Sequence, residues 1–282
     1  MLKILKQDFK RIYFSYGFLV CALLTFGFCF TAPVYTTNTG KDYTAFSVLT
    51  SFSKEDIQNS LCLSSYRVFN HSVNSYLNLF IPIVASFPFI TAYGSERNSG
   101  NIRFTIVRVG KLRYCFSKFL SCIAAGGTAV VLGYFFYGIF TAFLFPSENL
   151  IPLLANQQRN TLLNMVTKIT FNAIGMFLYG AVSALPAFLL AAFIHNKYII
   201  TCIPFMILYV LQSAISQIST NAINTDNMEL LNKAQAFSFQ SVQQLLFGGQ
   251  YIDITITEIL SFSVASFLLF YVTIKRKEDC GE

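Results

Sequence analysis

Charged residues are scarce in this chain. They make up 12% of the sequence, whereas 54% of the residues are hydrophobic and the mean hydropathy is +0.55. Soluble domains carry about a quarter charged residues, so this composition excludes an ordinary water-soluble fold. A lipid bilayer is therefore the expected solvent.

Long runs without any charge indicate where the chain crosses the membrane. A helix needs about 20 mainly apolar residues to span the hydrocarbon core. Five charge-free runs reach this length, and a sixth does so if its helix includes Glu258 near one end. We predict an all-α polytopic membrane protein, a single transmembrane domain over 1–282. Its six spans are expected at about 13–35, 75–93, 119–145, 169–193, 198–216 and 254–274.

The basic residues predict the orientation, because short loops rich in Lys and Arg stay on the cytoplasmic side. With both termini inside, most of the 20 basic residues are cytoplasmic, so we expect a multi-pass protein of the cell membrane. The net charge of +7 then reflects topology rather than a nucleic-acid surface. The inner basic residues are Lys3, Lys6, Lys10, Arg11, Arg97, Arg103, Arg108, Lys111, Arg113, Lys118, Lys197, Lys275, Arg276 and Lys277.

Residues that build catalytic or metal sites are also scarce. The two histidines, His71 and His195, fall beside predicted span ends on opposite sides of the membrane. Intramembrane metal or acyl-transfer chemistry needs ionisable groups that converge at membrane depth, and the predicted spans contain no such set. We therefore expect no catalytic residue, metal or cofactor in this chain. A membrane enzyme, which would depend on His71, His195 or Glu258, is the weakest alternative.

The sequence has no nucleotide-binding P-loop. That loop needs G-x-x-x-x-G-K-[ST], and the only Gly-Lys pair, Gly110-Lys111, has Thr105 at the first glycine position. Carriers driven by protons or sodium ions usually bury an ionisable residue near the midplane, whereas Glu258 is expected near one edge. By elimination, a separate partner is expected to supply energy for any transport.

The N-terminal segment 1–12 has an amphipathic pattern. Its apolar residues Leu2, Leu5, Phe9 and Ile12 recur at spacings of 3, 4 and 3 residues, and its lysines lie off this face. The segment is either an interfacial helix on the inner membrane surface or an extension of the first span.

Two outer loops contain patterned stretches. In loop 36–74, residues 43–63 are expected to form either a small cap or an interfacial helix. Loop 217–253 has a helix-like stretch from Met228 to Phe247, followed by a stop at Gly248-Gly249. It is either a re-entrant or interfacial helix or a plain surface loop.

Small residues and prolines inside the spans predict local geometry. The small residues of 124–127 and of 180–184 would let helices approach closely. Kinks or local openings are expected at the prolines. These are Pro82, Pro88, Pro186 and Pro204.

The loop between the second and third predicted spans carries the most specific pattern. Its positions 95–118 hold six basic residues and one acid. The loop resembles that of the ABC-2 type permease family, the transmembrane subunits of bacterial ABC exporters. That family has an acidic-x-x-x-Gly motif, then a basic segment and a lysine that opens the third span. Glu96, Gly100, Arg113 and Lys118 match this pattern.

Two positions depart from that family. Asn101 stands where the family often has Thr, and the proline that frequently precedes the basic turn is missing. The resemblance implies a coupling helix over about 94–113 that docks on an ATPase subunit. Alternatively, the basic residues only anchor the loop to anionic lipid. The residues expected to serve ATPase coupling are Glu96, Gly100, Arg103, Arg108, Arg113 and Lys118.

The resemblance also implies partners and a transport role. The chain would pair with a second permease, identical or related, and bind two ATPase subunits that carry the ATP. Substrate would pass along aromatic-rich surfaces of the first, second and fifth spans. A peptide or bacteriocin, a drug or a lipid would suit that lining. The alternative function is a membrane sensor or scaffold that binds a ligand through its outer loops, and such a protein would not bind an ATPase.

Overall fold

The computed structural model describes residues 2–36, 40–53, 57, 63–72, 76–146, 158–225, 227–238, 241–244 and 252–279. These residues are mainly helical, as the composition predicts. The helices are α1 (Leu2–Tyr13), α2 (Tyr16–Cys29), α3 (Ala45–Ser51), α4 (Ser65–His71), α5 (Leu77–Asn98), α6 (Asn101–Val109), α7 (Lys111–Leu144), α8 (Gln158–Ser183), α9 (Leu185–Phe193), α10 (Lys197–Asn224), α11 (Met228–Ala236), α12 (Ser241–Gln244) and α13 (Ile252–Asp279). The strands are β1 (Pro33–Thr36) and β2 (Asp42–Thr44).

The long helices identify a membrane-embedded protein. Within the described ranges, five helical segments are long and apolar enough to cross a bilayer: α5, α7, α8 with α9, α10 and α13. The α1–α2 pair makes a sixth if its two helices, bent by 55°, count as one span. The fold is therefore that of a helical membrane protein.

The N-terminal region differs from the predicted first span in two ways. Ser15 starts a new helix, since its hydroxyl accepts a hydrogen bond from the Phe18 amide. The resulting bend makes α1 a separate helix that packs against α5 and α7. At the other end, α2 stops at Cys29, and Pro33–Thr36 then pairs with Asp42–Thr44 in an antiparallel hairpin. The prediction of a purely helical fold did not include this hairpin.

Helix α7 lies at the centre and packs against α1, α2, α5 and α8. At its contact with α8, a Cβ atom on Gly126 would lie 3.0 Å from the Ala184 Cβ and 3.1 Å from the Gly180 carbonyl oxygen. Larger side chains at Gly126 or Gly180 would force these helices apart. The predicted close approach at the small residues is confirmed.

The prolines and the loop predicted at 217–253 differ from the prediction in detail. Helices α5 and α10 continue through Pro82, Pro88 and Pro204, and only Pro186 stands at a helix break. Helix α10 also continues past the expected span end at 216, so its 28 residues extend roughly 42 Å. The expected helix after Met228 is present as α11 and α12, whereas Gly248-Gly249 lies outside the described residues.

Burial is unequal among the long helices. About half or more of the most apolar stretch is buried in α5, α7 and α8–α9, but only 17% in α10 and in α13. The first group forms the packed interior, and the second group leaves broad faces uncovered by the described chain.

Candidate functional site

A buried group of charges joins α1, α5 and α7. The ammonium group of Lys118 pairs with the Asp8 carboxylate at 2.6 Å and also with the Glu96 carboxylate. Ser117 donates its hydroxyl proton to the second oxygen of Asp8 at 2.7 Å. Each of the three charged residues is at most 5% exposed. We call Asp8, Glu96, Ser117 and Lys118 the Lys118 cluster.

The Lys118 cluster contains two carboxylates and a single ammonium group. Arg11 supplies a further positive charge, since its guanidinium lies 3.8 Å from the Glu96 carboxylate and is 43% exposed. The ring of Tyr114 lies 5.3 Å from the Lys118 ammonium. Charges buried in an apolar interior persist only when they are paired, so each member depends on the others. The cluster therefore ties three helices together.

The local sequence explains how Asp8 enters this interior. Asp8 and Ile12 are four residues apart and both are buried, so they share the face of α1 that packs on α5 and α7. Leu5 and Phe9 are half-buried beside them, as the amphipathic pattern predicted. Sequence reasoning missed Asp8, although it is the only acid before Asp42 and stands among basic residues.

Two glycines frame the short helix α6. Gly100 has φ +68° between α5 and α6, and Gly110 has φ +92° between α6 and α7. Both values lie in the left-handed region, which glycine adopts without a Cβ clash. Gly100 therefore forms the turn from α5 into α6, and Gly110 forms the turn from α6 into α7.

Helix α6 turns one face inward and the other outward. Ile106 is buried and Ile102 packs against the hydrophobic core, four residues apart. On the outer face, Phe104 and Val107 are 79% and 80% exposed. Arg103 and Arg108 flank them and are exposed as well. The exposed surface of α6 therefore combines two large apolar side chains with two basic ones.

The six residues predicted for ATPase coupling fall into different environments. Arg103 and Arg108 lie on the exposed face of α6, and Arg113 is exposed in the first turn of α7. Gly100 forms the turn between α5 and α6. Glu96 and Lys118 are buried and bind each other.

Arg97 is another cation that binds within the chain. Its guanidinium donates hydrogen bonds to the carbonyl oxygens of Ala191 at 3.0 Å and Ile194 at 2.8 Å, and to Nε2 of His195 at 2.8 Å. The carbonyls at the end of α9 have no partner in that helix, so a cation there stabilises them. Arg97 thus fixes the end of α9 to the end of α5.

An open groove lies beside the Lys118 cluster. It has a volume of about 500 Å³, and Glu96 forms part of its wall together with Arg11, Tyr16, Ser95 and Asn101. Within the described ranges, no three His, Cys, Asp or Glu side chains are grouped as a metal site requires.

No protein-family model matches the chain, and no curated protein matches it significantly. The fold and the site define a broad class of protein: a helical membrane protein that has a buried ion cluster and, between α5 and α7, a short exposed helix.

Proposed function

We propose that this chain is the permease subunit of an ABC-2 type exporter. It spans the cell membrane six times with both termini in the cytoplasm and pairs with a second permease, identical or related. Two copies of an ATPase subunit bind and hydrolyse ATP for the complex. The observation that carries this proposal is the exposed apolar and basic face of α6, which lies between two long apolar helices.

The face of α6 suits a protein partner. Phe104 and Val107 project from a helix of only nine residues, and their apolar surface is best buried in a hydrophobic groove. Arg103 and Arg108 at the rim would meet acidic groups on the partner and orient the docking. An ATPase with such a groove would hold α6 as its coupling helix.

The Lys118 cluster supports the transmission of movement from α6. The cluster connects the end of α5 and the start of α7, which flank α6, and it adds α1 through Asp8. A displacement of α6 would therefore be transmitted to α1, α5 and α7, which the buried ion pairs hold together. Gly100 and Gly110 provide the turns through which α6 can change its angle.

An aromatic column supports the proposed substrate route. The rings of Phe28 and Phe80 stack at 4.9 Å, and those of Phe80 and Phe205 at 5.6 Å. Tyr209 continues the column, 6.1 Å from Phe205. These residues belong to α2, α5 and α10, the first, second and fifth proposed spans.

The same face of α10 becomes polar beyond Tyr209. Ser213, Ser216 and Thr220 are exposed and follow Tyr209 at helical spacings of 4, 3 and 4 residues. Hydroxyl groups inside a membrane favour a partner helix or a water-filled cavity over lipid. A second permease facing this surface would enclose a route with aromatic and polar parts, which fits an amphipathic peptide, a drug or a lipid.

The first test is affinity purification of the solubilised chain from its native host, with mass spectrometry for a P-loop ATPase. The wild-type chain and the Phe143→Ser control, which changes a phenylalanine 84% exposed at the far end of α7, should recover the ATPase stoichiometrically. The double variant Phe104→Ser, Val107→Ser should lose it. Recovery by the double variant would exclude α6 as the docking helix. A folded wild-type chain without any ATPase would favour the sensor or scaffold function.

A further inference from the structure

A separate cavity lies between α8, α12 and α13. Its volume is about 340 Å³, which is within the usual range for small-molecule sites. The walls are mostly apolar and come from Val182, Val242, Ile259 and Phe262. None of these residues belongs to the Lys118 cluster or to the aromatic column.

One carboxylate faces this apolar space. Glu258 lines the cavity and lies seven residues into α13, a helix long and apolar enough to cross a membrane. Its side chain is half-buried, and no ion pair within the described part of the chain includes it. An acidic residue in a membrane helix is costly and usually faces a functional group of opposite charge.

We propose that this cavity binds an amphiphile with a positively charged amino group. The Glu258 carboxylate would accept hydrogen bonds from the ammonium group, and the apolar walls would hold the hydrocarbon or aromatic body. Ser261 adds a second acceptor, because its hydroxyl donates to the Glu258 carbonyl oxygen at 3.0 Å and keeps free lone pairs. An anionic ligand would be repelled, and a neutral one would leave the carboxylate unpaired.

The cavity is partly open along α13, because two of its lining residues, Ser261 and Ala265, are exposed. A ligand can therefore enter from the bilayer, where a cationic amphiphile partitions with its charge near the interface and its apolar part among the acyl chains. Binding at this cavity needs no ATPase and does not depend on the proposed transport function.

The test uses monodansylcadaverine, a fluorescent probe with a primary amine, and the full chain in phosphatidylcholine nanodiscs. Empty nanodiscs give the background. The amine should bind saturably, with brighter emission in the apolar cavity, and N-hexyl dansylamide, which has a methyl group in place of the ammonium, should bind at least tenfold more weakly. Equal affinities for the two probes would overturn the proposal.

Two variants separate the roles of charge and space. Glu258→Gln keeps the shape but removes the charge, and Ala265→Phe keeps the charge but fills the mouth of the cavity. Each should weaken amine binding about tenfold or more, because a charge-assisted contact or the apolar contacts are lost. Asp253→Asn, which neutralises an exposed acid in the same helix, should bind as the wild type does. Wild-type affinity in both cavity variants would exclude this site.

Lipid composition identifies the source of the amine. Phosphatidylethanolamine carries a primary ammonium group on an apolar body, as a free cationic amphiphile does. Weaker probe binding in nanodiscs that contain this lipid would assign the site to a lipid headgroup. Undiminished binding would assign it to a free amphiphile, and either result supports an amine site.

Discussion

Glu96 and Glu258 are both acidic residues in apolar helices, and their surroundings differ sharply. Glu96 is buried within reach of Lys118 and Arg11, so its charge is balanced inside the chain. Glu258 is half-buried at an apolar cavity, and the described residues offer it no ion pair. A charge balanced within the fold is held by its partners, whereas a charge left unbalanced is available to a ligand.

Loss of Lys118 should produce the largest effect. Lys118→Met leaves Asp8 and Glu96 buried next to each other without their shared cation, and we expect the free energy of unfolding to fall by about 3–5 kcal/mol. The chain has no tryptophan, so unfolding is best followed by far-ultraviolet circular dichroism during SDS titration. The control Lys168→Met changes an exposed lysine and should unfold as the wild type does.

The same background provides a rescue experiment. Adding Asp8→Asn and Glu96→Gln to Lys118→Met makes the whole cluster neutral, which should restore most of the lost stability. A Lys118→Met variant as stable as wild type would show that the cluster does not contribute to the free energy of unfolding. Failure of the rescue would assign the loss to packing of the lysine stem instead.

Arg97→Met should have an intermediate effect. The change removes donors from two carbonyl oxygens at the end of α9, and hydrogen bonds to charged groups contribute about 1.5–3 kcal/mol. The matched control is Arg108→Met, since Arg108 is exposed on α6. Equal unfolding curves for the two variants would contradict a structural role for Arg97.

Asp8→Asn should cost less, about 1 kcal/mol. The asparagine can still accept from Ser117, and the remaining Glu96–Lys118 pair is balanced in charge. The loss should appear first as faster proteolysis within α1, because Asp8 holds this helix on α7. Proteolysis at the wild-type rate, measured by mass spectrometry of the fragments, would contradict this role of Asp8.

Glu258→Gln should have the smallest effect on stability, within about 0.5 kcal/mol of wild type, because no intramolecular ion pair is lost. The same SDS titration measures it. A decrease as large as that of Lys118→Met would show that Glu258 is balanced inside the fold, and the contrast between the two acids would disappear.

The sequence allowed the long helices to be located, but not their ends. The length of a charge-free run reflects the part of a helix that lies in the hydrocarbon core of the bilayer. The helix itself continues beyond the first charged residue. Helix α7 begins at Lys111, before the predicted start of its span, and includes the basic residues Lys111 and Arg113. Helix α10 continues through polar residues to Asn224. The first span was predicted too long because the pairing of Pro33–Thr36 with Asp42–Thr44 leaves no mark in the hydropathy.

The candidate site was predictable only in part. The motif drew attention to Glu96 and Lys118, which are 22 positions apart in sequence, but not to their pairing. Asp8 lies 110 positions from Lys118, and a contact over that separation depends on how α1 bends back onto α7. The exposed face of α6 could not be read from its sequence pattern, because Ile102 and Ile106 are as apolar as Phe104 and Val107, and only packing decides which pair is buried.

The Lys118 cluster also restricts how this chain can evolve. Replacing Lys118 first would leave two buried carboxylates without a cation. Replacing Asp8 first leaves the balanced Glu96–Lys118 pair, which can later be exchanged for two neutral residues. Related chains should therefore show correlated substitutions at positions 8, 96 and 118, and intermediates that have lost only the acid of α1 should outnumber those that have lost only the lysine.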